Sequence, residues 1–264
     1  MQRQISADLD LSATGDARVV LSIAAHSSVE THDETLSVTL DGDELPVTEI
    51  VDGHGARLHL VDVTEGDVQV SYRANVEGTA APLTATPLEQ IVFLRPSRYA
   101  ESDSLAPTAA REFAGLEATE LLFGVSSWVG QHLQYVPGSS LPTDGAVRTL
   151  LARQGVCRDY AHLVVGLLRS MNVPARLVSV YAPGLDPMDF HAVAEAAIEG
   201  EWRVVDATAL APRSSLVRIA SGRDASDTAF LTVHGAGVTL RDLEVSAVVD
   251  ELPADDLTQL VSLG

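Results

Sequence analysis

Three residues of this 264-residue chain have types and an order that could carry covalent chemistry: Cys157 in "RQGVCRDYAH", His191 in "FHAVAEAAI" and Asp206 in "EWRVVDAT". A thiol attacks a carbonyl carbon as thiolate, an imidazole takes and returns the proton, and a carboxylate fixes the imidazole tautomer. Cys157 is the only cysteine. It opens a predicted helix running to about Met171, which places Ala161, Val164, Val165 and Leu168 on one face and is ended by Pro174. A helix N-terminus beside a histidine can bring a thiol from near 8.5 down to roughly 3.5–7.5. Taken alone, such a cysteine reads first as a small buried hydrophobe. Partners decide the matter.

The partners depend on a hairpin. "IEGEW" reads as a tight turn with Glu199 and Gly200 as its loop, so Ile198 faces Glu201 and Val193 lies opposite Asp206. His191, two residues from Val193, then shares a face with Asp206 on a diagonal within side-chain reach. A slip of one residue would separate them.

The rest of the chain must hold these elements in place. From Ser6 to about Arg73 the runs "ARVVLSIAA", "TLSVTL", "ARLHLVDV" and "DVQVSYRANV" have period two and alternate with turn clusters such as "DGDELP" and "DGHG". They predict an antiparallel β-sandwich of roughly 80 to 100 residues. Residues 77–90 read as a connecting segment. Past Pro107, "TAAREFAGLEATELLFGVSSWVGQHLQYV" has helical spacing, and "TDGAVRTLLARQG" predicts a further helix with Thr143 or Asp144 as N-cap and Gly155 at its end. Strand-like runs follow. The expected fold class is therefore α+β: a sandwich over 1–100, then a domain over 101–264 in which helices precede an antiparallel sheet packed on the Cys157 helix.

"RQGVCRDYAHLVVGLLRSMNVPAR", "HAVAEAAIEGEWRVVDAT" and "RIASGRDASDTAF" together resemble the transglutaminase-like superfamily, in particular its bacterial branch with an N-terminal β-domain. The likeness covers about residues 90 to 235, including "LRPSRYAESDSL", and is weaker for the sandwich. It rests on Gly-x-Cys at the start of a helix, Pro-Ala-Arg leading into the sheet, His-Ala opening one strand and Asp-x-Thr closing the next. It implies a papain-like core with Cys157 as nucleophile, His191 as base and Asp206 as orienting carboxylate. It also implies a second oxyanion donor upstream, for which Tyr135 is the candidate and Trp128, Gln131 and Gln154 are alternatives. Two positions depart from the pattern. Val193 stands where the family often has Trp, which would alter one groove wall, and Asn172 replaces a glycine at a left-handed position it can also adopt. The implied activity is acyl transfer from a peptide or amide through a thioester, hydrolytic rather than cross-linking. The contrasting reading is a silent binding or scaffold protein that has kept the fold.

Other candidates carry less. Asp159 in the first helical turn suits the helix dipole, and His162 projects to a different face from Cys157. His26, His32, His54 and His59 lack metal-ligand spacing, so no metal or cofactor is expected. "YAPGLDPMDF" before His191 reads as part of a groove rim. The charge of −20, from 37 acids against 17 bases that are all arginine, argues against nucleic-acid or membrane-surface partners, while the family resemblance implies a peptide or protein substrate. The N-terminal residues lack the apolar run of an export signal, and one cysteine forms no internal disulfide, so the expected compartment is the cytoplasm.

Overall fold

The computed structural model describes residues 1–79 and 81–263. Its N-terminal strands are β1 (Gln2–Ala13), β2 (Ala17–Leu21), β3 (Thr31–Leu40), β4 (Asp43–Glu44), β5 (Thr48–Val51), β6 (Arg57–Val63) and β7 (Gly66–Glu77). Period-two patterning puts Ile5, Ala7, Leu9 and Leu11 of β1 and Val68, Val70, Tyr72 and Ala74 of β7 on one buried face. Val19, Leu21, Val61 and Val63 of β2 and β6 meet them from the second sheet. Each buried Val, Leu or Ile among them contributes about 1.5–3 kcal/mol by leaving water.

Between the sandwich and the second sheet lie α1 (Pro87–Val92), α2 (Ser102–Glu112), α3 (Ala118–His132), β8 (Gln134–Tyr135), α4 (Ala146–Ala152), β9 (Gln154–Gly155) and α5 (Cys157–Ser170). The connecting segment 77–90 is thus not wholly irregular. Thr86 and Glu89 form a reciprocal cap that starts α1, while Ala80 lies outside the described residues. Neither Thr143 nor Asp144 caps α4. Its N-cap is Gly145, and Asp144 instead accepts the Leu141 N–H in the preceding turn. Gly155 does not end that helix; Arg153, in the left-handed region, does.

Strands β10 (Ala175–Tyr181), β11 (His191–Ile198), β12 (Glu201–Val205) and β13 (Val217–Gly222) form an antiparallel sheet in the order β12-β11-β10-β13. Asn172 takes the left-handed conformation, φ 62°, that leads α5 into β10. Helix α5 is more deeply buried than a one-faced amphipathic helix: all residues from Asp159 to Arg169 are buried. Helices α2 and α3 pack on one side of it, and Ala194, Ala196 and Val205 of the sheet on the other.

Two strands depart from the 1–100 and 101–264 division. The last strands, β14 (Leu231–Gly235) and β15 (Val238–Val249), belong to the sandwich: β15 pairs antiparallel with β1 and β14 with β2. The sheets are β15-β1-β7-β3-β4 and β14-β2-β6-β5. The chain leaves the sandwich, builds the second unit, and returns to complete the first. The two units share apolar contacts, because Tyr181, Val217, Ile219 and Ala220 of the β12-β11-β10-β13 sheet join the sandwich core. The Tyr181 hydroxyl donates to the Ile23 carbonyl at 2.8 Å and the His26 N–H to the Arg218 carbonyl at 2.9 Å. The C-terminal segment then runs beside β12, where the Val204 N–H donates to the Val261 carbonyl. No helix among the described residues is long and apolar enough to cross a membrane.

Candidate active site

Cys157 is the first residue of α5 and is partly exposed at the helix N-terminus. Its position is set from behind. Asp159 is buried; its Oδ2 accepts the Val156 N–H at 2.8 Å and its Oδ1 accepts the Ser140 hydroxyl at 2.9 Å, which binds the first turn of α5 to the preceding loop. Asp159 is therefore an anchor as well as a charge suited to the dipole. The glycine of Gly-x-Cys has a steric cause, since a Cβ on Gly155 would stand 2.6 Å from the Asp159 Cβ.

The hairpin register is the one the turn predicts. Glu199 and Gly200 both have positive φ, 52° and 80°, Ile198 pairs with Glu201, and Ala194 pairs with Val205. The buried His191 and Asp206 come together, Nε2 to Oδ2 at 3.9 Å, an ion-pair spacing longer than a hydrogen bond. Thr208 supplies what links them. Its N–H and hydroxyl donate to Asp206 Oδ1 at 2.8 and 2.7 Å, and its Oγ1 lies 3.4 Å from His191 Nε2. The Ser126 hydroxyl on α3 donates to the Asp206 carbonyl at 2.8 Å. Gly130 lets this segment approach, because a Cβ there would lie 2.8 Å from the Ala207 carbonyl oxygen.

Burial alone would make His191 neutral. The Asp206 carboxylate and the Cys157 sulfur outweigh burial and push its pKa up to about 10. Burial likewise opposes charge on Asp206, but His191 and the Thr208 donors hold it below the usual carboxylate range.

Of the four upstream candidates, the fold brings Tyr135 to Cys157. The parallel β8–β9 pair sets Tyr135 beside Gly155 and its side chain next to Cys157. Burial, with the adjacent sulfur, pushes the phenol up to about 12. Trp128 donates to Glu112 and stacks on His132, Gln131 donates to Ser127, and Gln154 pairs with Gln134 in the short sheet. His162 is buried on another face, accepts the Ala225 N–H and stacks on Tyr99; burial lowers it to about 3. His26 and His59 are tied to the His54 carbonyl and Glu49. Among the described residues no group of three or more His, Cys, Asp or Glu converges as a metal site.

A cavity of about 490 Å³ opens beside Cys157 and His191. Only the end of "YAPGLDPMDF" reaches it, through Asp189 and Phe190, while Leu185 packs into the core. Val193 is buried in the sheet and does not line the cavity, so the wall expected to change at that position is not formed there. Ser22, Phe230, Leu231 and Leu243, contributed by the sandwich side, do line it. No local pattern marks them, since they meet the β12-β11-β10-β13 sheet only through tertiary packing. Thr208 had a local mark: a Thr two residues after an Asp favours a side-chain turn.

This arrangement, a cysteine at a buried helix start facing a His and an Asp on adjacent strands, is the architecture of the transglutaminase-like superfamily, to which the chain belongs. The family's core profile matches residues 108–207. A candidate cysteine protease from Cytophaga hutchinsonii, known from its crystal structure, is 30% identical; the match covers 100% of this chain and 98% of that chain with a TM-score of 0.89. An uncharacterized Mycobacterium leprae protein is 24% identical over 219 residues, 77% of this chain and 78% of its own length. An uncharacterized Mycobacterium tuberculosis protein is 36% identical over 74 residues, 26% of this chain and 24% of its own.

Proposed function

We propose that the protein is a cysteine-nucleophile acyl-transfer enzyme acting on peptide or amide carbonyls, with hydrolysis rather than cross-linking as its outcome. The observation that carries this reading is the convergence of Cys157, His191 and Asp206 from three separate elements, with His191 beside Asp206 and lining one cavity with Cys157.

The imidazolium of His191 is the counter-ion of a Cys157 thiolate. Sulfur attacks the acyl carbon, and the carbonyl electron pair moves to oxygen. In the resting protein the Tyr135 side chain stands against Cys157. An acyl oxygen that replaces this contact takes one donor from each, the Cys157 N–H and the Tyr135 hydroxyl. As the tetrahedral adduct collapses, the C–N bond breaks and His191 gives its proton to the departing amine nitrogen. Water then adds to the thioester and yields a proton to His191, the C–S bond breaks, and the acid leaves with the thiolate and imidazolium restored. An amine in place of water would give transfer. The Cytophaga relative is named for protease activity, which favours water.

Because Cys157 is the only cysteine, its alkylation reads out directly. Iodoacetamide at about pH 6 is expected to label it faster than free cysteine, and His191→Ala to remove the advantage. Labelling no faster than free cysteine and unchanged in the variant would overturn the enzyme reading in favour of a silent scaffold. Glutaminyl peptides with and without an amine acceptor, with Cys157→Ala as blank, separate the two outcomes. Ammonia release without amine incorporation is the expected result.

A further inference from the structure

We infer that the cavity beside Cys157 is an acyl-side-chain pocket for a bulky uncharged group, aromatic in preference, and that the sandwich supplies its selective wall. The inference rests on Cys157 as nucleophile and goes on to name the acyl component.

A carbonyl held at the Cys157 sulfur has its substituent beside the thiol, and the adjoining space is this cavity, whose size of about 490 Å³ lies in the range of small-molecule pockets. Leu177 and Ile219 of the catalytic sheet line it and are almost wholly buried. Phe190 and Phe230, with ring centroids 5.2 Å apart, line it from the two units. Beside the His191 imidazolium, two further charged side chains line it, Asp189 and Arg158, and both are hydrogen-bonded to neighbouring groups of the protein. Asp189 Oδ1 accepts the Phe190 N–H at 2.7 Å, and Arg158 donates to the Ser140 hydroxyl at 2.7 Å and the Leu141 carbonyl at 3.0 Å. Arg158 also stands 3.9 Å from the Asp159 carboxylate, and burial raises the Asp189 carboxyl above its ordinary range, so neither is a strong counter-charge for a substrate side chain.

Besides the His191 Nδ1 and the Arg158 Nε, one buried polar atom of the lining has no partner, and it is a hydroxyl. Ser22 is 3% exposed, lines the cavity, and its hydroxyl has no hydrogen-bond partner. A buried hydroxyl without a partner is costly, and a ligand that supplies one recovers the loss. Its backbone is fixed, since the Ser22 N–H donates to the Phe230 carbonyl at 2.9 Å. The pocket therefore offers apolar and aromatic walls with a single hydroxyl on the sandwich side. That suits a phenylalanyl or tyrosyl acyl group better than the unbranched chain of glutamine. A serine donor further favours the tyrosyl hydroxyl.

The test uses N-acetylated aminoacyl chloromethyl ketones bearing Gly, Leu, Phe, Tyr, Glu or Arg side chains. The rate of Cys157 modification by the full-length protein is read by intact mass and set beside iodoacetamide. The Phe and Tyr reagents are expected to exceed the Gly, Glu and Arg reagents by at least about tenfold. In Ser22→Ala the Tyr-to-Phe ratio falls within that one protein, and in Phe230→Arg the preference moves toward the Glu reagent. Far-UV and near-UV circular dichroism verify that each variant is folded. Rates that agree within about threefold across the series, with iodoacetamide still faster on the protein than on free cysteine, overturn the pocket and leave the nucleophile standing. Iodoacetamide no faster than on free cysteine overturns both.

Discussion

His191 is enclosed by groups that favour its charged form over the burial that opposes it, and its pKa of about 10 against an ordinary 6.5 makes the site a source of pH-dependent stability. A raised pKa in the folded state means that the fold binds a proton the unfolded chain has released. The contribution is complete below about 6.5 and disappears as pH rises toward 10. His191→Gln, neutral at every pH, is therefore expected to be less stable than the parent by on the order of a few kcal/mol near pH 6, with the difference shrinking as pH approaches 10. Denaturant unfolding of both proteins across that interval measures it. A difference that stays constant with pH would mean that His191 contributes packing alone. The identities and order of Cys157, His191 and Asp206 were legible because this chemistry needs those types. The bridging place of Thr208 was legible only as a turn spacing, since a hydroxyl's second partner is fixed by the fold.

Strands β10, β11 and β13 carry a second charged cluster under the site, in which Glu195 is fully buried between Arg176 and Arg218. Arg176 and Glu195 are direct cross-strand partners, and Arg176 also reaches Glu89 on α1 and lies 4.0 Å over the Trp202 ring. Burial pushes Glu195 toward neutrality, but Arg218 and Arg176 prevail and hold it at about 2, against an ordinary 4.5. The sign is opposite to that of His191. Stability from Glu195 is complete above about 4.5 and is lost as pH falls through 2. Glu195→Ala leaves two buried guanidinium groups without their shared acceptor and is expected to cost about 3–5 kcal/mol, measured by thermal or denaturant unfolding. It is also expected to flatten the acid limb of the stability profile. At this scale the hairpin register was legible because a two-residue Glu-Gly loop admits one pairing. The cluster was not, since Arg176, Glu195 and Arg218 sit in runs that read simply as strands. The all-round burial of α5 was hidden for a related reason: periodicity marks one apolar face and says nothing of elements that arrive from elsewhere to cover the other.

Across the whole molecule, the sandwich is built from both ends of the chain, with Arg3 opposite Val249 and Ala13 opposite Val238 in one antiparallel ladder whose register shifts once, between Asp10 and Leu11. The alternation in "TLRDLEVSAVVDEL" predicts a strand, but nothing in it identifies a partner more than two hundred residues away, so a boundary near residue 100 looked sufficient. The topology makes a different demand. A fragment of residues 101–264 would carry β14 and β15 without β1 and β2, exposing the apolar face of Val245 and Ala247. It would also uncover Tyr181, Ile219 and Ala220, which the sandwich now buries, and the Arg3 guanidinium would no longer donate to the Ser215 and Leu216 carbonyls. An unpaired strand with an apolar face invites association. The isolated 101–264 fragment is therefore expected to aggregate or to keep helical far-UV signal while losing near-UV dichroism and binding hydrophobic dye. Adding the 1–100 fragment is expected to restore a cooperative transition and the accelerated alkylation of Cys157. Cooperative unfolding of the 101–264 fragment alone, with Cys157 labelled at the parent rate, would show instead that the second unit stands without the sandwich. The cavity wall carrying Ser22 would then be an addition to a self-sufficient core.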